Sequence, residues 1–191
     1  MRTLLLAFFL CLNLAGAARA AIPESPLLQG MQGEFYGKGM NIHAGNYEAW
    51  WKGAYQPSNP MRLVTGELRV KPEDTSIPEF TVKISIARFQ HPHDNPYFVT
   101  LEENGAAKTH TVSKLEERNL VAFGPMENRP SPNGGDRFSM PGFRIDTTRE
   151  DGALKFGYLR SNEYCPKPGS PGEFVNCGSG PYSPFIVKKA Q

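Results

Sequence analysis

The segment "EFTVKISIARF" constrains this chain more than any other, because apolar and polar residues change places at every step. Phe80, Val82, Ile84 and Ile86 alternate with Thr81, Lys83, Ser85 and Ala87. Period two is the repeat of an extended chain, whose successive side chains point to opposite faces, so the segment predicts a strand with one buried face and one wet face. The same alternation runs through "GELRVK", where Leu68 and Val70 oppose Glu67, Arg69 and Lys71, and through "ALKFGYL", where Leu154, Phe156 and Tyr158 share a side. Weaker copies lie at residues 31–38, 47–55, 97–102, 106–112, 119–123, 142–147 and 182–187.

Two dipeptides say how such strands connect. Asn104-Gly105 separates "YFVTLEE" from "AAKTHTV", and Asp151-Gly152 separates "FRIDTTRE" from "ALKFGYL". Both supply residues that tolerate the positive φ of a tight hairpin, so neighbouring strands pair antiparallel. About Asn104-Gly105 the pairing sets Glu103 against Ala106 and, counting outward, Val99 against His110, with Tyr97, Leu101 and Val112 on the same face. Helical signals are scarce: "SKLEERN" has the Ser113 and Glu116 spacing of a capping box and predicts at most about two turns of helix. The expected fold is all-β, an antiparallel β-barrel or a two-sheet sandwich of about eight to ten short strands with at most one short helix. Gly33, Gly37 and Gly39 fit a first strand that bends at a barrel corner, and residues 125–141, "PMENRPSPNGGDRFSMP", read as a long mobile loop.

Residues 1–20 have the three parts of an export signal: Arg2 as the positive start, "LLLAFFLCLNLAG" as the apolar middle, and Ala18-Arg19-Ala20 as the cleavage site. Residues 21–191 are then expected to form one all-β domain in the periplasm by default, or outside the cell. The apolar middle is shorter than the roughly 20 residues that a bilayer requires, and no later segment approaches it, so no transmembrane helix is expected. Of 21 Lys and Arg, the signal removes Arg2 and Arg19, which leaves 19 basic side chains against 19 acidic ones. A nucleic-acid partner would need a basic excess, and none is expected.

The signal also removes Cys11 and leaves Cys165 and Cys177 in "YCPKPGSPGEFVNCG". In an exported chain that pair predicts a disulfide closing a Pro- and Gly-rich loop over residues 164–181.

The densest group of chemically active side chains is in "RFQHPHDNPYF". In an extended chain His91 and His93 point the same way, Pro92 favours that extension, and Asp94 adds a third metal-ligand type. A barrel site that begins His-x-His would continue with a Glu four or five residues on, where Tyr97 and Phe98 stand instead. Asp94-Asn95-Pro96 is turn chemistry, in which the Asp and Asn side chains bond to nearby backbone, and the stretch reads as a connection between strands. No cofactor is expected. There is no Gly-x-Ser-x-Gly elbow, phosphate loop or His-Glu-x-x-His sequence.

The remaining candidate is aromatic. "YEAWWKGAY" puts Tyr47, Trp51 and Tyr55 on one strand face and Trp50 on the other. These residues pack a core, or Tyr47 and Trp51 line an internal cavity while Trp50 stacks on a partner or a sugar ring. The function expected is that of a non-catalytic binder holding a small apolar molecule inside a barrel. An envelope or extracellular protein binding a macromolecule through loops and exposed aromatics is the alternative. A metal-dependent enzyme using His91, His93 and Asp94 comes third. Interior volume separates the first two.

Overall fold

The computed structural model describes residues 25–89, 97–130, 136–170, 172–178 and 182–190. The expected export signal and the group His91, His93 and Asp94 lie outside the described residues.

The alternating segments form β1 (Gly33–Asn41), β2 (Gly45–Tyr55), β3 (Val64–Pro72), β4 (Phe80–Arg88), β5 (Tyr97–Glu103), β6 (Ala106–Leu115) and β7 (Asn119–Phe123). They continue as β8 (Glu127–Pro130), β9 (Asp136–Thr147), β10 (Leu154–Pro166), β11 (Phe174–Gly178) and β12 (Phe185–Lys189). Each of β1 to β6 pairs antiparallel with the next strand; β7 then pairs with β9, β9 with β10, β10 with β12, and β12 returns to β1. The ring is a closed ten-stranded antiparallel barrel rather than a sandwich. Closure leaves the ring itself no edge strand. β8 and β11 stand outside it, pairing with the ends of β9 and β10 that run past the ring.

The hairpin register is the one that the turn demands. Asn104 has φ 49° and Gly105 φ 78°, both left-handed, and Glu103 pairs with Ala106 and Val99 with His110. In the other connection Gly152 has φ 64°, and Leu154 pairs with Thr147. One phase of the ring strands faces the lumen: Val82, Ile84 and Ile86 are buried, as are Val99, Leu101, Phe143, Ile145, Phe156 and Val187, in one continuous apolar cluster.

Three expectations fail for physical reasons. "SKLEERN" is not helical: Ser113 to Leu115 complete β6, the register shifts between Val112 and Lys114, and Leu115 pairs with Leu120. A helix so short keeps only its own few hydrogen bonds, whereas the strand adds a cross-strand ladder and packs Leu115 against the core. The helix that does form is α1 (Pro26–Gly30), where Pro26 suits the first turn and Leu27 and Leu28 are buried. A single 3₁₀ turn follows β2 at Pro60–Arg62. Residues 125–141 are not one long loop, because β8 and the start of β9 pair within them. Gly33, Gly37 and Gly39 do not mark a bend in β1, which pairs with β2 without interruption from Gly33 to Asn41. What Gly37 and Gly39 provide is room for neighbours: a Cβ on Gly37 would collide with the Ile186 carbonyl of β12, and one on Gly39 would come within 2.9 Å of the Tyr47 hydroxyl.

Candidate functional site

The aromatic strand β2 divides its four rings between different places. Trp51 is fully buried, and its Nε1–H donates to the Met31 carbonyl at 2.8 Å. Its indole lies over Gly53 and Gly66, where any side chain would collide with it, and stands 4.9 Å from the Phe156 ring. With Leu27, Leu28 and Met31 also buried, α1 and Trp51 close one end of the barrel. Tyr47 is buried nearer the other end, and its hydroxyl accepts the Ile186 N–H at 2.7 Å across the glycines of β1. Tyr55 is half-buried against the core. Trp50 stands on the outer wall in a row with Tyr36 and Arg69; its ring centroid is 5.4 Å from that of Tyr36, and the Arg69 guanidinium lies over it at 5.4 Å.

At the end opposite α1 the described residues enclose a cavity of about 300 Å³, lined by Phe80, Phe185, Tyr158, Ile77 and Ala44 together with the polar Asn41, His43, Thr81, Glu103, Asn104 and Ser183. These residues converge because antiparallel strands bring their ends to a common rim: Asn41 ends β1, Phe80 begins β4, Glu103 ends β5 and Phe185 begins β12. The floor is aromatic, Phe185 meeting Phe80 edge-on at 5.6 Å and Tyr47 below it at 5.0 Å.

The rim is held in shape by its own hydrogen bonds. Asn41 Nδ2 donates to the Ser183 carbonyl at 2.6 Å, and Asn41 Oδ1 accepts from the His43 and Ala44 amides at 2.8 and 3.3 Å. Ser183 Oγ accepts the Ile42 N–H at 3.1 Å. Glu103 continues the inward phase of Val99 and Leu101, opposite Val82 on one side and Ala106 on the other. Partial burial pushes its carboxyl above the ordinary value, against a smaller opposing pull from Lys108. The Lys108 ammonium itself bonds to Glu127 at 3.1 Å.

None of Tyr47, Trp50, Trp51 and Tyr55 lines this cavity; Tyr47 supports its floor from below. The lining set escaped sequence reasoning because it is spread over strand ends far apart in the chain. Of this set the Asn104-Gly105 turn gave only the pairing of Glu103 with Ala106.

A wider depression, of about 900 Å³, lies on the outer wall of β1 to β5. It is crossed by a row of alternating charges, Glu34, Lys52, Glu67, Lys83 and Glu102, which are partners in register. Lys52 bonds to Glu34 and Lys83 to Glu102, each at 2.8 Å. Such exposed pairs hold register more than they bind a ligand.

His110 is 3% exposed among apolar neighbours, burial holds its pKa below the ordinary value, and its Nδ1 has no hydrogen-bond partner among the described residues. No group of three or more metal-ligating side chains occurs among the described residues. No helix among them is long and apolar enough to cross a membrane.

Cys165 pairs with Val175 on β11, two residues before Cys177, so within 164–181 the residues 164–166 and 174–178 form a strand pair. The Cys177 side chain lies outside the described residues. Comparison with family models, curated proteins and solved structures finds no match to this chain.

Proposed function

We propose that this chain is an exported, non-catalytic binding protein that holds one small, largely apolar molecule in the mouth of its barrel. The observation that carries the reading is the cavity of about 300 Å³ with aromatic floor and walls. That volume sits at the lower end of small-molecule sites, and a few placed polar groups around apolar walls are their usual composition. The bonded rim adds preorganisation, which lowers the entropic cost of binding. Below the mouth the buried side chains form one continuous apolar cluster, which favours the mouth over the axis as the ligand's place.

Export rests on the pattern of residues 1–20, and the Cys165–Cys177 bridge belongs to the same reading. The experiment is native mass spectrometry of the protein isolated from its own host, beside Ile77→Trp, which adds bulk over the mouth. Added mass on the wild type that is missing from the variant is the expected result. Bare protein in both, with no uptake of 2-phenylethanol by the wild type, overturns the mouth as a site.

The alternative, an extracellular protein that binds a macromolecule through its surface, draws on that continuous apolar cluster and on exposed Phe89, whose ring meets Phe98 edge-on at 5.1 Å. It takes precedence if the mouth proves empty.

A further inference from the structure

Resting on that reading, we propose that the ligand is a small cationic amphiphile, an organic ammonium whose apolar body lies on Phe80 and Phe185 and whose charge meets Glu103. Three observations converge on this class. Among the described residues Glu103 is the one acid in the lining, and it stands in the inward phase of β5 at the exposed end of the strand, on the rim. Lys108, whose charge also acts on Glu103, bonds to Glu127. Two of the other polar lining groups already have partners in the rim: Asn41 spends its amide on Ser183 and the β1–β2 turn, and Ser183 accepts from Ile42.

The apolar side of the cavity fits the same charge. Phe80, Phe185 and Tyr158 present rings whose faces carry partial negative charge, so they attract a cation as well as shelter an apolar body. An anion of the same shape meets that field and the Glu103 carboxylate with the wrong sign. A neutral molecule gains the apolar contact and leaves the carboxylate without a counter-charge. His43, on the β1–β2 turn, is the other nitrogen base among the described lining residues.

The test compares three probes that share a phenylethyl body by isothermal titration calorimetry at neutral pH: 2-phenylethylammonium, 2-phenylethanol and 3-phenylpropanoate. The ammonium is expected to bind roughly tenfold tighter than the alcohol, the size of one partly desolvated ion pair plus a cation–π contact, with the carboxylate weakest. Glu103→Gln should remove most of the ammonium's advantage, leaving the part due to the aromatic rings, and leave the alcohol unchanged; far-ultraviolet circular dichroism checks that the variant is folded. Equal affinity of ammonium and alcohol in the wild type, or an ammonium preference undiminished by Glu103→Gln, overturns the cationic assignment while leaving the mouth as a site. Failure of all three probes to bind overturns the mouth reading and this inference with it.

Discussion

At the scale of single residues, the Tyr47 hydroxyl does work that no strand pattern announces. β12 touches β1 through only two registered pairs, Phe35 with Lys189 and Tyr36 with Lys188, and beyond them the Ile186 N–H turns to Tyr47 on β2. The phenol reaches it because β1 carries glycine at 37 and 39 where it crosses. Tyr47→Phe keeps the ring and its contact with Phe185 but strands a part-buried donor. The expected loss is about 1–3 kcal/mol in urea unfolding. A change within about half a kilocalorie, as at ordinary surface positions, would mean that water replaces the hydroxyl and that the seam does not depend on it.

Strands and turns carry the next predictions. Ile84 and Ser85 are neighbours on β4 with opposite surroundings, one fully buried and one on the outer wall. Ile84→Ala is expected to cost about 2–5 kcal/mol through lost burial and the cavity left behind, and Ser85→Ala about half a kilocalorie or less. Similar values for the two would refute the assignment of faces.

The turn between β9 and β10 depends on Asp151, whose carboxylate accepts hydrogen bonds from the Thr148 hydroxyl and the Ala153 amide and pairs with Lys188 of β12 at 2.9 Å. Those partners, the Thr148 hydroxyl first, hold its pKa well below the ordinary carboxylate value of 3.8. A depressed folded pKa contributes stability that is present above 3.8 and is lost as pH falls below it. Asp151→Asn should therefore shrink the difference in stability between neutral and strongly acidic solution. An acid limb identical to that of the wild type would remove Asp151 from the account.

For the whole molecule, the closed ring makes one apolar cluster from ten strands and the α1 plug. No strand of the ring can leave without opening that cluster. Unfolding is expected to be a single transition, with tryptophan fluorescence and far-ultraviolet circular dichroism giving the same midpoint. Trp51 reports the plugged end and Trp50 the outer wall, so separate midpoints would show that the α1 end comes apart by itself.

What the sequence determined by itself is what depends on near neighbours. Period-two alternation set which residues of β4, β5 and β10 face inward, and Asn104-Gly105 set the pairing of β5 with β6 down to Val99 opposite His110. The division of Tyr47, Trp51 and Tyr55 from Trp50 follows from the same period. Turn chemistry and side-chain direction act over a few residues, and they survive whatever the rest of the chain does.

The tertiary structure alone decided barrel against sandwich, because closure rests on pairings between β1 and β12 and between β10 and β12 that no local signal specifies. It decided the fate of "SKLEERN", where the Leu115 to Leu120 pairing outweighs a capping box. It turned the glycines of β1 from a bend into clearance for Tyr47 and Ile186. It also assembled the mouth, since Asn41, Phe80, Glu103 and Phe185 meet only when ten strand ends are drawn into one ring. Contacts between residues so far apart in the chain are fixed by the packing of the whole core, and that is information no window of sequence contains.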